Sequence, residues 1–412
     1  MGSIPQDAGA SEANCVHVPL GLTGLRVVGQ HLDRTGQLAV HVRSTTERAA
    51  CSQCDRVSAT VHDTRWRPKR DLPCGEHPLS VLVAKRRFWC RGCARTFTEP
   101  DTACGRRRRS TVRFRAALGA AGLAQPVEQV AAQWDVGPQL VRQCVEIVAQ
   151  ARLEAAGTTL RTDTLLPTPR WLGIDEFARR KGQRYDTILC DLEHRRVLDI
   201  GAGRTQTDVA PLLERLDDPA QVAAVSMDMS RSFREAVHLC LPRAQVVADH
   251  FHVVQHVGKA VGKVFRRCAR TAAGRAALRG QRHLFVRRQE TLTPDEQQAR
   301  QTLAEAFPDL AQAWQAKEAL RTWYATATAE TAEGQLTAWV AQVEQDAPAE
   351  LRKALSAFQE WRDEILAFFR FLPNRLSNGF VEGKNNRTKA LMRQAYGYRN
   401  RRHLRLRILL PT

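Results

Sequence analysis

The chain has 412 residues, enough for two or three domains, and its 43% hydrophobic content can bury a real core, so disorder is excluded as the default. Lys and Arg number 62 against 43 Asp and Glu, a formal charge of +19 that makes a polyanion the expected partner, nucleic acid before membrane surface. No apolar run approaches the ~18 residues that span a bilayer, the first residues carry no signal-peptide pattern, and eleven cysteines in so long a chain do not suggest a secreted disulfide framework; a cytoplasmic protein is expected.

Residues 1–45 read as a polar tail and a β segment, with Leu25, Val27, Leu38, Val40 and Val42 marking two strands around a turn at Arg34–Gln37. A zinc-binding β domain is expected over 46–103. There Cys51 and Cys54 form one CxxC knuckle and Cys90 and Cys93 a second, with 35 residues between them. Four thiolates in two knuckles suit tetrahedral Zn²⁺, and a small β-rich segment with little core benefits from such a staple. His62, Cys74 and His77 lie between the knuckles as alternative ligands. A closed four-ligand site leaves no open position, so its role is folding and docking.

Residues 104–160 look helical and begin with a positive run, Arg106, Arg107, Arg108 and Arg109. The segment VEQVAAQWDVGPQLVRQCVEIVAQ reads as helix, turn at Asp135–Pro138, and second helix, a helix-turn-helix pattern. In that arrangement Gln139, Arg142 and Gln143 are placed to meet a major groove while the arginine run holds phosphates.

The Pro-containing linker LLPTPR opens a domain at about 170 that runs to 412. WLGIDEFARR, RYDTILCDLEHRR and RVLDIGAGRT read as three meandering strands, followed by a helix, the strand AAVSMDMS, a helix, and a strand in AQVVADHFHVV. This is the order of a ribonuclease H-like α/β fold, in which the first and fourth strands are neighbours. Asp175 and Asp228 fall on those two strands and can share a metal. Glu176, Asp191 and Asp199 read as surface or strand-end charges.

A helical insertion is expected over about 253–376, with a capping box at Thr293–Glu296, Pro294 in its first turn, and Trp314, Trp323, Trp339, Trp361, Phe368, Phe369 and Phe371 burying its faces. Asn378 and Gly379 then break the preceding helix, and Glu382, Lys384, Arg387 and Lys389 follow on the next.

Taken together, the knuckles, the helix-turn-helix, GIDEF, SMDMS, ADHFHVV, SNGFVEGKNNRTK and YGYRNRRHLRLRILL resemble the ISL-three group of bacterial DDE insertion-sequence transposases, from about Cys51 to the C-terminus. The stretch before Leu20 is outside the resemblance. The resemblance implies Asp175, Asp228 and Glu382 as the three catalytic acids, with Asp249 and His252 as a DxxH pair that supports the site or positions DNA. It implies Mg²⁺ (or Mn²⁺) at the acids, because two such ions about 4 Å apart activate the attacking oxygen and stabilise the leaving one. Water then frees a 3′-hydroxyl at the element's end, and that hydroxyl attacks target DNA. The implied partner is double-stranded DNA, both terminal inverted repeats and target, bound by a homodimer in the nucleoid. Lys384, Arg387 and Lys389 are expected to touch the DNA backbone. The alternatives are a zinc-dependent DNA-binding regulator derived from a transposase, and a ribonuclease H-like nuclease without strand transfer.

Overall fold

Alternating apolar residues join the hairpin expected at 1–45 to the long hairpin of the region expected at 46–103 in one five-stranded sheet, beside a two-stranded one. In the computed structural model, which describes residues 20–105, 107–158, 161, 163–180, 182–373, 375–395, 398 and 400–410, strands β1 (Leu25–Leu32) and β2 (Leu38–Ser44) form the expected hairpin. Two-residue strands β3 (Ala49–Ala50) and β4 (Val57–Ser58) flank the first knuckle. The long hairpin of β5 (Val61–Cys74) and β6 (His77–Cys90) then reaches the second knuckle, and β7 (Arg95–Thr98) returns from it. β2 pairs in parallel with β6, Val40 opposite Val81, so the N-terminal hairpin joins the sheet that carries the cysteines. Its pleat turns Val40, Val42, Leu79, Val81 and Val83 into one small core with Leu22 and Cys104.

Three helices follow: α1 (Val112–Ala124), α2 (Val127–Gln133) and α3 (Pro138–Ala155). Thr111 caps α1 by accepting from the Phe114 N–H. α1 crosses α3 closely because Gly119 and Gly122 face it; a Cβ at Gly119 would lie 2.4 Å from the Cys144 carbonyl oxygen. Residues up to Ala149 form one compact unit, and those from Gln150 onward form a second.

The second unit is built on a five-stranded mixed sheet in the order β10-β9-β8-β11-β12. β8 (Trp171–Arg180), β9 (Arg184–Asp191) and β10 (Arg196–Ala202) form the antiparallel meander. Helix α4 (Gln206–Leu213) carries the chain back to β11 (Ala224–Met227), which pairs in parallel with β8; α5 (Arg231–Cys240) then leads to β12 (Gln245–Ala248). The first and fourth strands of this domain are therefore neighbours, as the element order implied.

The helical insertion starts at His250, a few residues earlier than expected, since FHVV belongs to a helix and not to the preceding strand. It comprises α6 (His250–Cys268), α7 (Ala272–Ala277), α8 (Arg282–Val286), α9 (Pro294–Ala306), α10 (Pro308–Thr326), α11 (Ala332–Asp346), α12 (Ala349–Glu360) and α13 (Arg362–Arg370). The capping box at Thr293 and Glu296 is present, with Pro294 in the first turn. One hydrophobic core runs from Leu172, Ile174 and Met227 of the sheet through Val253 and Val257 to Trp323, Trp361, Phe368 and Phe369. The insertion thus shares the sheet's core. α14 (Gly379–Gln394) returns to β8, and α15 (Arg401–Leu409) packs on β10.

Of the acids expected as surface or strand-end charges, Asp191 does end β9 and Asp199 lies within β10, and both are buried. Asp199 is 1% exposed and accepts from Arg405 of α15 and from Arg215, while fully buried Asp191 accepts from Arg196 and His194. These pairs fasten α15 and the β9–β10 turn, where a carboxylate without its cation would be costly.

Candidate functional site

Parallel pairing places the acids. Ile174 of β8 lies opposite Met227 of β11, and Met227 opposite Ala248 of β12. One step further in the same register are Asp175, within β8, and Asp228 and Asp249, which directly follow β11 and β12. Three carboxylates thus stand in a row across adjacent parallel strands, and two of them lie at the strand ends, where open α/β sheets place ligands. Asp249 stands at the N-cap position of α6, without a side-chain capping bond, and Asp228 follows β11 directly, so both residues lie where the backbone leaves the sheet.

Helix α14 closes one side of this row. It can approach β8 because position 173 is glycine: a Cβ there would come within 2.7 Å of both Val381 and Leu192. Asn378 donates from its side chain to the Ile174 carbonyl at 2.9 Å and from its backbone to Asp249 Oδ1 at 3.2 Å. Asn385, 1% exposed, donates to Asp175 Oδ2 at 2.7 Å, while the Glu176 N–H takes Asp175 Oδ1 at 2.7 Å. Both oxygens of Asp175 are thereby oriented. Sequence reasoning missed the two asparagines. Their signal is a polar residue at core spacing on an amphipathic helix, since Asn378, Val381, Asn385 and Thr388 form the buried stripe of this segment.

Electrostatics set the row apart from its surroundings. Burial, followed by the charge of Asp228, pushes the Asp175 carboxyl up to about 7. Burial alone would lower His252, but hydrogen bonding and charge from Asp228 and Asp249 outweigh it and raise the imidazole to about 10. His252 Nδ1 hydrogen-bonds Asp249 Oδ2 at 3.0 Å and lies 2.7 Å from Asp228 Oδ1. The imidazole thus stands between two carboxylates, and apart from this ion contact with His252 the buried Asp228 Oδ1 has no partner among the described residues. A carboxylate oxygen in that condition, beside a second buried acid, fits a hard divalent cation. Asp228, Asp249 and His252 each offer a ligand atom within 4.8 Å of the others. Hard carboxylate oxygens such as those of Asp175 and Asp228 suit Mg²⁺ better than an imidazole nitrogen, and His252 and Asp249 stand beside them.

Glu382 is half-buried in the first turn of α14, one turn before Asn385, with its backbone N–H on the Asn378 carbonyl. Its carboxylate is not part of the Asp228, Asp249 and His252 group among the described residues. Glu176 pairs with Arg204 at 2.8 Å, outside the row. Lys384 lies half-buried over the Phe380 ring at 5.2 Å, Arg387 is half-buried and Lys389 is exposed.

The N-terminal unit holds a separate centre. The Sγ atoms of Cys51, Cys54, Cys90 and Cys93 lie within 4.8 Å of one another, with Cys54 and Cys90 3.6 Å apart. Tetrahedral zinc with Zn–S bonds of ~2.3 Å requires S···S spacings of ~3.8 Å, so the four thiols fit it. Each knuckle ends in a left-handed residue, Asp55 (φ 55°) and Ala94 (φ 49°), which turns the chain back over the sulfurs. The alternative ligands stand apart: His62 and Cys74 are exposed, and the His77 ring contacts the Gly36 carbonyl.

Around this centre, Gln139 and Gln143 of α3 are exposed, but Arg142 is tied to Glu128 of α2 at 2.6 Å and is not the free reader expected. Arg106 lies outside the described residues, as do Lys181, the residues before Leu20, and Tyr396, Gly397 and Arg399 of the closing motif. The side chains of Arg107, Arg108 and Arg109 are exposed, while the Arg109 carbonyl accepts from the Arg70 N–H at 2.9 Å and the Arg108 carbonyl from Lys69. With Arg67 and Arg70 they line a groove of about 1700 Å³.

A four-cysteine β module followed by an α/β domain with acids on adjoining parallel strands is consistent with a transposase of the DDE class. A family model described as transposase, of the DDE ISL3 type, matches residues 172–408, and one described as zinc-finger of transposase IS204/IS1001/IS1096/IS1165 matches residues 47–93. The chain belongs to the ISL3 family of DDE transposases. It is 29% identical over 384 residues to the transposase for insertion sequence element IS1001 of Bordetella parapertussis, covering 90% of each chain. It is 26% identical over 262 residues to the transposase for insertion sequence element IS1557 of Mycobacterium tuberculosis, covering 56% of this chain and 57% of the other. No helix among the described residues is long and apolar enough to cross a membrane.

Proposed function

We propose that this transposase binds the terminal inverted repeats of an insertion sequence through its N-terminal unit, and cleaves and transfers DNA strands with a ribonuclease H-like domain. The observation that carries the reading is the buried Asp175 of β8 standing beside Asp228, whose Oδ1 has no partner apart from His252 among the described residues. Asp175 and Asp228 would hold Mg²⁺ or Mn²⁺, with Glu382 as the third acid brought by α14. Bound there, the cations supply activation of an attacking oxygen and stabilisation of a leaving one.

The protein's own groups prepare this chemistry. Asn385 and the Glu176 N–H fix the two oxygens of Asp175, and Asn378 ties α14 to both β8 and Asp249. His252 keeps its proton between Asp228 and Asp249, which offsets the repulsion of a crowded acidic row. No side chain forms a covalent intermediate: water is the first nucleophile, and the freed 3′-hydroxyl is the second. In the N-terminal unit the zinc-held sheet and α1–α3 form a helix-turn-helix domain, in which Gln139 and Gln143 read base edges and Arg107, Arg108 and Arg109 contact phosphates. Two ends must be joined, so the protein acts as a homodimer assembled on DNA in the nucleoid.

The test is nicking of a DNA duplex that carries the element's own ends, with and without Mg²⁺. Wild-type protein should nick at the end and join the new 3′-hydroxyl to a target, whereas Asp228→Ala should do neither. Equal inactivity of both proteins, with end binding retained, leaves a DNA-binding regulator. Nicking without joining leaves a nuclease.

A further inference from the structure

Helix α6 starts at the carboxylate row, with Asp249 at its N-cap position and His252 in its first turn, and runs outward for 19 residues, ~28 Å. Its buried side is fixed by Val253, Val257, Ala260, Val261, Val264 and Phe265 in the domain core. The opposite side carries Lys259, Lys263, Arg266 and, just past the helix end, Arg270, all exposed and spaced four, three and four residues apart on one face. Between His250 and Gln289 there are ten Lys and Arg and no Asp or Glu. Several arginines of this domain are held by carboxylates, among them Arg215, Arg231, Arg234 and Arg321. Arg267, one position off the stripe, bonds Asp309 and Glu350, each at 2.8 Å, yet Lys259, Lys263, Arg266 and Arg270 have no ion pair among the described residues.

We propose that Lys259, Lys263, Arg266 and Arg270 form a phosphate track for duplex DNA flanking the element, on the far side of the scissile phosphate from the terminal repeat. This rests on the cleavage reading above. The occupant follows from the chemistry. Lys and Arg on phosphates carry no sequence information, and the flank differs at every insertion, whereas the repeat is constant and has its readers in the N-terminal unit. The stripe also continues directly from the acids. Ten residues of helix separate Asp249 from Lys259, ~15 Å, and twenty-one separate it from Arg270, ~31 Å. At ~3.4 Å per base pair, a duplex that follows α6 meets the track from about four to about nine base pairs beyond the cut.

The full-length protein tests this with three duplexes in Ca²⁺: a pre-cleaved end without flank, an end with two base pairs of flank, and an end with twenty. Wild type should bind the long flank more tightly than the other two, with a steeper salt dependence. Each phosphate contact adds about 0.9 to the log–log slope, so four add up to about 3.6. The variant Lys259→Gln/Lys263→Gln/Arg266→Gln/Arg270→Gln should lose that gain and extra slope, yet bind the pre-cleaved end, melt and retain zinc as wild type does. A variant that keeps the flank-dependent gain overturns the proposal, including one that keeps it and loses only target joining. Loss of affinity for the pre-cleaved end to the same degree also overturns it, because the stripe then holds the repeat. Failure of the cleavage reading looks different: wild type itself would not nick the flanked end in Mg²⁺, and both inferences would fall.

Discussion

Under the proposed function, the cysteine centre and the carboxylate centre are built to hold cations in opposite ways. Each cysteine pair sits in one tight turn, and the long β5–β6 hairpin brings the second turn to the first, so four soft ligands close around their metal. The acids come from the middle of β8 and from just past β11 and β12, with α14 adding orienting amides from more than 150 residues downstream of β11. Their set remains incomplete, with an oxygen on Asp228 met only by His252 among the described residues, and water or DNA needed to finish the shell. A closed centre can hold a small fold together, whereas an open one can do chemistry.

The largest effect that tests this contrast is removal of zinc. The N-terminal core is small, divided between Val40, Val42, Val81 and Val83 on one side and Phe88 and Phe97 around the cysteines on the other. Zinc binding of ~10 kcal/mol or more is then folding energy for this unit. Cys90→Ser or a strong chelator should remove one zinc per chain and abolish end binding, while the Gln150–Thr412 unit keeps its own cooperative melting transition. Retention of zinc by Cys90→Ser, measured by elemental analysis, would falsify the four-cysteine assignment. Next in size, Asp228→Ala or Asp175→Asn should lower cleavage by ~10³-fold or more, about 4 kcal/mol of transition-state stabilisation, with little loss of melting temperature. A melting temperature that collapses along with activity would make the row a structural element instead.

Asn385 probes the supporting layer of the open centre. Partners that orient metal ligands typically contribute 10–100-fold, so Asn385→Leu should reduce cleavage by that factor and raise the Mg²⁺ concentration needed, without altering end binding. An unchanged Mg²⁺ dependence would show that Asn385 only packs α14 on β8.

The two centres also differed in how readily the residues disclosed them. CxxC spacing is local, and the order of strands and helices was enough to make β8 and β11 neighbours, so Asp175 and Asp228 could be paired from sequence. The burial of Asp199 and Asp191 was not legible because a buried acid and an exposed one look alike until their cations are found, and Arg405 and Arg215 come from distant segments. Asn378 and Asn385 were hidden for the same reason: a buried polar side chain declares itself only through the strand it touches. Likewise, the N-terminal hairpin read as a separate piece because nothing local shows that β2 pairs in parallel with β6.

Arg142 gives the smallest expected effect and the finest test of the N-terminal reading. It shares the face of α3 with Gln139 and Gln143, but its guanidinium is engaged by Glu128, and both partners are substantially exposed. Such a pair contributes about 0–1 kcal/mol to stability, so it ties α2 to α3 weakly and occupies the Arg142 guanidinium. Gln143→Ala should therefore cost ~1–3 kcal/mol of end-binding energy and relax selectivity at one base pair, while Arg142→Gln should cost less than ~1 kcal/mol. Fluorescence anisotropy on the end duplex distinguishes the two. A larger loss for Arg142→Gln would mean that DNA displaces Glu128, and Glu128→Gln should then tighten binding, because it releases the arginine and removes a carboxylate facing the phosphates.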